Sequence, residues 1–484
     1  MIEEVVKIHD KFSLEIKLGF IARKKQLVSD FLMNIWIFIP NSLDINRSTY
    51  SKSDFYRDLK SNIRLITPVF LLQDIVNGEN SPFIQFENSI RKLASNPSRS
   101  NSEIYEFQIK MFLSILKSAL REHVEHIQKN KIAEDNTHLV NEYIEHTKKI
   151  VETYRNLRKH INVPTISKER LDYYLFGDEF MSNLIEHHTF KLVSGIEKNG
   201  SNEFLVTKLL LLISQEIEYK KSKGYPIVEK DNPQKNRDLV FKLGLLKKYA
   251  ESELFLTAKK KKDGIMVEQL YLSIAAGLSM IFATIVAFSF QQKYGNYTIP
   301  LFFALVISYM LKDRIKELGR YYFAHKLSHY YFDYKIKITL NKLLIGWSKE
   351  AMDFVETSKV PKEVMKLLNR SPIEEVNNRI SNEQIILFKK FIRLRRSNLD
   401  KSIQYSTQGM NEIVRINLSN FTQKMDDPKV PLYALDDRDV FKVLEGEKVY
   451  SIDFIMQMHN RNQTEFHRYR VLLNRDGIKE VERL

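Results

Sequence analysis

The sequence predicts an α+β membrane protein with a mostly helical cytosolic body, β-rich N- and C-terminal parts, and one two-helix transmembrane hairpin. Three observations predict it. Two long uncharged runs stand back to back in a chain that is 28% charged overall. Near both ends of the sequence, apolar residues alternate with polar ones. Between the first of these alternating segments and the uncharged runs, apolar residues recur at helical spacing.

Residues 1–45 read as a β-rich segment. Phe12, Leu14, Ile16, Leu18 and Phe20 alternate with polar or small residues, and Phe31, Met33, Ile35, Ile37 and Ile39 do the same before Pro40-Asn41 ends the run. Residues 46–258 read as a helical cytosolic domain. Ser53 and Asp54 open a helix, and Thr67-Pro68 interrupts it. Ser102 to Asn130 and His138 to His160 are amphipathic, Glu203 to Tyr219 is strongly apolar, and Leu239 to Phe255 forms a last helix leading toward the uncharged runs.

The transmembrane hairpin is expected at 264–312, with spans at about 267–290 and 297–312. From Gln269 to Gln292, 24 consecutive residues carry no charge. As a helix at ~1.5 Å per residue this run is about 36 Å long, enough to cross a hydrocarbon core of about 30 Å. After Lys293, a further 18 uncharged residues run from Tyr294 to Leu311, with Gly295-Asn296 as turn chemistry. Thr298 suits an N-cap and Pro300 a first turn. This second span is short, so Lys312 and Arg314 are expected to snorkel to the interface. The alternative is a buried hairpin in a large soluble protein.

Charge orients the hairpin. From Lys235 to Asp263 there are nine Lys/Arg against four acids, and from Lys312 to Trp347 eight against three. The loop between the spans carries only Lys293. Basic flanks stay cytoplasmic, so both ends of the hairpin, and with them both termini, are expected in the cytosol. The opening residues lack the basic start and apolar core of a secretory signal. These flanks hold most of the formal net charge of +15, which points to anionic lipid first and nucleic acid second. Lys259, Lys260, Lys261, Lys262, Lys312 and Arg314 are the candidate membrane-surface contacts. Abundant Lys, Asn and Ile with scarce Gly is the bias of an AT-rich bacterial genome, so the expected site is the bacterial inner membrane.

Residues 313–375 read as a stalk helix followed by a helical segment at about Trp347 to Asn369. Leu311, Ile315, Leu318, Tyr322, His325, His329 and Phe332 follow alternating steps of four and three, a seam for packing on a protein partner or a second copy of the chain. Residues 376–484 read as a β-rich C-terminal cytosolic domain. Tyr450, Ile452, Phe454, Met456 and Met458 alternate on one face, and Asn474 to Gly477 is a hairpin turn.

The motifs of common chemistry are absent: no phosphate loop, no dinucleotide fingerprint, no nucleophile elbow and no H-E-x-x-H. Cysteine is absent too, which removes disulfides, thiolate nucleophiles and Cys-ligated metal sites. His325 and His329, with Asp333 on the same row, have metal-capable spacing, but Tyr321, Tyr322, Tyr330 and Tyr331 surround them and packing accounts for them better. His187-His188 point to different sides of a helix. Asp426-Asp427 and Asp436-Asp437 with Asp439 read as solvated turns around Pro428 and Pro431. No metal and no cofactor are expected. The leading functional expectation is a non-catalytic, membrane-anchored interaction or sensor protein, such as a bacterial stress or phage-defence component. The alternative is a membrane-bound hydrolase or nuclease with an active site built from scattered Asp, Glu and His.

Overall fold

The computed structural model describes residues 2–22, 26–78, 80–130, 133–198, 203–322, 331–369, 383–402, 404–435, 441–460 and 463–484. The fold is mixed α+β. It opens with β1 (Ile2–Asp10), β2 (Ser13–Ile21), β3 (Val28–Ile39), α1 (Lys52–Asp58) and β4 (Leu59–Leu65). Seven helices follow: α2 (Pro82–Ser95), α3 (Arg99–Lys129), α4 (Ala133–Asn156), α5 (Arg158–Ile161), α6 (Lys168–Lys198), α7 (Glu203–Lys223) and α8 (Pro233–Ala250). Then come β5 (Thr257–Lys262), the long helices α9 (Ile265–Tyr294) and α10 (Ile299–Tyr322), β6 (Tyr334–Leu340) and β7 (Leu343–Phe354). The chain closes with α11 (Lys362–Leu367), β8 (Gln384–Arg395), α12 (Arg396–Ser402), β9 (Gly409–Asn417), α13 (Ser419–Thr422), the ribbon β10 (Lys429–Leu435) and β11 (Phe441–Glu447), and β12 (Tyr450–Asn460), β13 (Gln463–Asn474) and β14 (Gly477–Arg483).

Two compact units form. One is Met1–Ile63 with Leu256–Gln404 and Gln408–Leu484; the other is Arg64–Phe255 with Tyr405–Thr407. Among the described residues the β unit has two large sheets, ordered β1-β2-β9-β4 and β14-β13-β12-β3-β8-β7-β6-β5, and the two-stranded ribbon β10-β11. The two β-rich ends of the sequence interleave in them. β2 pairs with β9, and β3 pairs with both β8 and β12, all antiparallel. The alternating residues read from the sequence are the inward ones. Leu14, Ile16, Leu18 and Phe20 on β2 and Phe31, Met33, Ile35 and Ile37 on β3 are all buried. The Phe20 and Phe31 rings meet 5.5 Å apart, which brings the two sheets face to face.

The sequence placed α-helix where strands stand. Trp347 to Asn369 was expected to be helical, yet Leu343–Phe354 is strand β7, and helix in that stretch is confined to a 3-10 turn at Thr357–Lys359 and to Lys362–Leu367. Inward Glu350 and Ser348 interrupt the apolar alternation of β7 and hide its period. Strand β6 is legible in retrospect, since Ile336, Ile338 and Leu340 are buried and Lys335 and Lys337 are not. Asn341 and Lys342 both take positive φ, the geometry of a tight two-residue hairpin turn. The expected boundary at residue 46 moves to 64, because α1 and β4 belong to the β unit. Of the expected stalk to Phe332, helix is described as far as Tyr322, and Phe332 is not helical; residues 323–330, with His325 and His329, lie outside the described residues, and so do Asp436, Asp437 and Asp439.

The helical unit is built on α3 and α6, each 31 residues long. Ser81 and Ser98 cap α2 and α3 by accepting from the third backbone N–H of each helix. Its core is aromatic. Tyr154 stacks on Phe86 at 5.6 Å, Phe112 at 5.7 Å and Tyr174 at 4.8 Å. Tyr154 and Tyr174 each donate a hydroxyl hydrogen bond of 2.9 Å to the other's carbonyl oxygen. Gly177 gives this pair room, since a Cβ there would lie 2.3 Å from the Tyr154 hydroxyl. Tyr154→Ala is therefore expected to cost about 3–5 kcal/mol. Tyr154→Phe removes one hydrogen bond and is expected to cost about 1–2 kcal/mol. Thermal unfolding followed by circular dichroism measures both.

Candidate functional site: an apolar hairpin rooted in a charged sheet edge

Helices α9 and α10 are an insertion between two neighbouring strands. β5 and β6 pair antiparallel, from Thr257 opposite Thr339 to Lys262 opposite Tyr334. Residues 263–333 thus replace the turn of a β-hairpin. The Asp263 N–H donates to the Asp333 carbonyl at 3.2 Å and closes the neck. The two ends of the insertion are held side by side.

Helix α9 is long and apolar enough to cross a membrane; among the described residues no other helix meets that test. Only 6% of its most apolar stretch is buried. Large apolar side chains lie uncovered all round the pair: Leu270, Ile274, Ile281 and Phe288 on α9, and Phe302, Ile307 and Met310 on α10. Water does not tolerate this much clustered apolar surface. Where the helices touch, the residues are small. Ser279, Ala304 and Ser308 are buried, and Ser308 donates to the Ala283 carbonyl at 3.3 Å. At Gly319 a Cβ would come within 2.7 Å of the Ala275 methyl carbon. Small-residue seams of this kind let helices pack closely without a hydrophobic driving force between them.

The expected stalk residues divide. Ile315 is half-buried, while Leu311, Leu318 and Tyr322 are exposed. Lys312 is half-buried, with its ammonium 4.0 Å from the centroid of the Tyr309 ring, and Arg314 is exposed.

The run Lys259 to Lys262 is strand β5 itself, at the edge of the larger sheet, so its four lysines alternate. Lys260 turns inward. It lies 4.3 Å from the Tyr56 ring centroid and 4.1 Å from that of Tyr334, and its ammonium is 3.4 Å from Glu350. Glu350 accepts from Lys390 at 2.7 Å, Lys390 also bonds Glu412 on the facing sheet, and Ser61 donates to Glu412. Lys390, Glu350 and Glu412 are almost wholly excluded from solvent. Burial works to raise the Glu350 carboxyl, but the charges of Lys390 and Lys260 outweigh it and hold Glu350 below the ordinary 4.5. Burial works to lower Lys390, but Glu350 and Glu412 outweigh it and hold Lys390 above 10.5.

At the neck, Asp333 gathers three donors: Lys52 at 2.8 Å, the Tyr56 hydroxyl at 3.0 Å and the Met352 N–H at 2.7 Å. Lys349 pairs with Asp263 at 2.8 Å. A cavity of about 560 Å³ opens here, lined by Lys52, Tyr56, Lys262, Asp263, Glu268 and Asp333 among others. Asp333, read from the sequence as a third member of a histidine row, is instead the anchor of the neck. Among the described residues, no three His, Asp or Glu side chains converge as a metal site. His188 is buried in α6, and burial with the neighbouring His187 charge pushes it down to about 4. Asp426 is held by Lys448 and by the Tyr450 hydroxyl at 3.0 Å.

Sequence reasoning missed the buried cluster, although a signal existed. Lys390 interrupts Ile386, Phe388, Ile392 and Leu394, and Glu412 interrupts Met410, Val414 and Ile416. A charge at an inward position on two strands is a pair waiting to be matched. No protein-family model and no curated protein matches this chain.

Two outcomes are expected. Lys390→Met leaves buried Glu412 without its cation and Glu350 with Lys260 alone, and is expected to destabilise the protein by about 3–5 kcal/mol near neutrality. In the native cluster the signs are opposite for the two partners. Glu350 is depressed, so its contribution is present above 4.5 and fades as pH falls below it; Lys390 is raised, so its contribution is present below 10.5 and fades as pH rises beyond it. Unfolding curves across pH measure this. In the hairpin, Ala283→Cys with Ser308→Cys is expected to crosslink under oxidation, and Gly319→Leu to suppress the crosslink. Unchanged crosslinking would show that the small-residue seam does not set the packing.

Proposed function

We propose that the protein is a membrane-tethered interaction protein, in which α9 and α10 cross the bacterial inner membrane and return, and both units work on the cytoplasmic side. One observation carries the reading: a paired helical hairpin with apolar side chains exposed on every outward face, rooted in a strand of four consecutive lysines. An all-round apolar helix needs lipid or protein around it. The neck at Asp263 and Asp333 keeps both flanks on one side of whatever the hairpin crosses, and both flanks are basic, the bias of cytoplasmic segments. Helix α10 is apolar from Ile299 to Leu311, and Lys312 and Arg314, just past that stretch, snorkel to the interface in this reading. The helical unit is the partner-binding body. It leaves Phe204 and Leu211 on α7 and Val240, Phe241 and Leu245 on α8 exposed, apolar side chains of the kind that a protein partner buries. The role is to bring that partner to the membrane, as a stress or phage-defence component does, with no catalytic step.

The protein is expected to sediment with membranes and to need detergent for release. Removing Val267 to Leu311 and joining the ends is expected to free it. Intact protein that stays in the supernatant after high-speed centrifugation contradicts the reading.

A further inference from the structure

The sheet that carries the hairpin has an outward face, and that face is basic. Inward positions on β5 to β8 alternate with Lys259 and Lys261 on β5, Lys335 and Lys337 on β6, Trp347 on β7 and Lys389 on β8. The register sets like charges directly opposite one another: Lys259 faces Lys337, Lys261 faces Lys335, and Lys335 also faces Lys349. Like charges in this relation destabilise a sheet. Neighbouring cations have partners: Lys260 has Glu350, Lys262 has Glu268, Lys349 has Asp263, and Arg393 has Asp30. Among the described residues, the five outward lysines have no ion-pair partner. In their midst Trp347 is half-buried, with its ring 5.3 Å from Phe391 and with Lys335 and Arg393 at 5.1 and 5.4 Å.

We infer that this outward face of β5–β8 is a docking surface for the anionic headgroups of the bilayer. The inference rests on the hairpin crossing the membrane. Two observations select lipid. The first is continuity: β5 ends at Lys262 and α9 begins at Ile265, so the face adjoins the point where the chain leaves the sheet. The second is charge: uncompensated lysines in register need a spread of negative charge rather than one anion, and an anionic leaflet supplies it. Tryptophan among cations is also the composition of a membrane interface. Single-stranded nucleic acid is the competing polyanion. It would need aromatic faces open for stacking, and the Trp347 and Phe391 rings are already packed on each other and on cations. The surface therefore excludes Lys260, which is spent on the core, and centres on Lys259, Lys261 and Lys337.

The chain contains two tryptophans, and Trp36 is buried beneath Val360 and Val364, so Trp347 is a built-in reporter. The test reconstitutes the full chain into phosphatidylcholine vesicles, with or without phosphatidylglycerol bearing a headgroup quencher, and subtracts the Trp347→Phe signal. Trp347 is expected to be quenched in the anionic vesicles and released by high salt. The combined variant Lys259→Glu, Lys337→Glu and Lys389→Glu is expected to lose about half of the quenching or more, with an unchanged circular dichroism spectrum. These positions face outward, so a Gln series at the same sites serves as the milder control. Quenching that ignores charge reversal, or none in anionic vesicles, overturns the inference while the hairpin stands. A chain that fails to float with neutral vesicles at all removes the hairpin itself, a distinct result. A larger Trp347 response to an oligothymidylate than to phosphatidylglycerol assigns the face to nucleic acid and overturns the inference as well.

Discussion

The antiparallel pairing of β5 with β6 is the constraint on which the rest depends. It joins the two ends of a long insertion at one neck, and residues 263–333 leave and return there. An insertion so pinned has its flanks on a common side without any help from lipid. The same pairing sets the alternation that separates Lys260 from Lys259 and Lys261. A four-lysine run on a flexible tether would be equivalent charges; on a strand it is two sets of side chains on two faces. Edge strands otherwise invite unwanted pairing, and a row of lysines with a helix springing from the end is a recognised protection.

Behind that strand stands the buried cluster. Removing Lys390, Glu350 and Glu412 from water is expensive, and well-packed apolar residues would stabilise the unit as much or more. What the cluster supplies is position. Lys390 joins β8 to Glu350 on β7 and to Glu412 on the facing sheet, and Glu350 reaches on to Lys260 on β5. Asp333 ties the returning end of the insertion to α1 through Lys52 and Tyr56 and to β7 through the Met352 N–H. The root of the hairpin is thus bonded into the core of the β unit by directional contacts, which a purely apolar core would lack.

Much of this was legible in the sequence. The uncharged run from Gln269 to Gln292 became one helix, and the alternations of Phe12 to Phe20 and Phe31 to Ile39 became β2 and β3. The amphipathic stretch from Ser102 to Asn130 became α3. The failures share a cause. Leu343–Phe354 follows a stretch read as a stalk helix, and its inward Ser348 and Glu350 hid the alternation, so Trp347 to Asn369 was read as a further helix. Lys259 to Lys262 did not read as a strand because lysine has little strand preference, and the tertiary partner β6 overrode it. Long-range pairing was the other missing element. Nothing local at Lys390 announces Glu412, and nothing in β3 announces β8 and β12. Leu318 and Tyr322 lie on the uncovered side of α10, because the small residues Ala304, Ser308 and Gly319 define the side that meets α9.

The most direct test uses the absence of native cysteine. Single cysteines are placed at Asn296, in the loop between the two long helices, and at Lys389, on the outward face of β8. Intact cells whose outer envelope is permeabilised are then treated with a membrane-impermeant maleimide. The account requires labelling at Asn296→Cys and protection at Lys389→Cys until the inner membrane is broken. Protection of Asn296→Cys in intact cells, with equal labelling of both sites after lysis, would place the loop on the same side as the sheet. The hairpin would then not cross the membrane, and the central claim would be wrong.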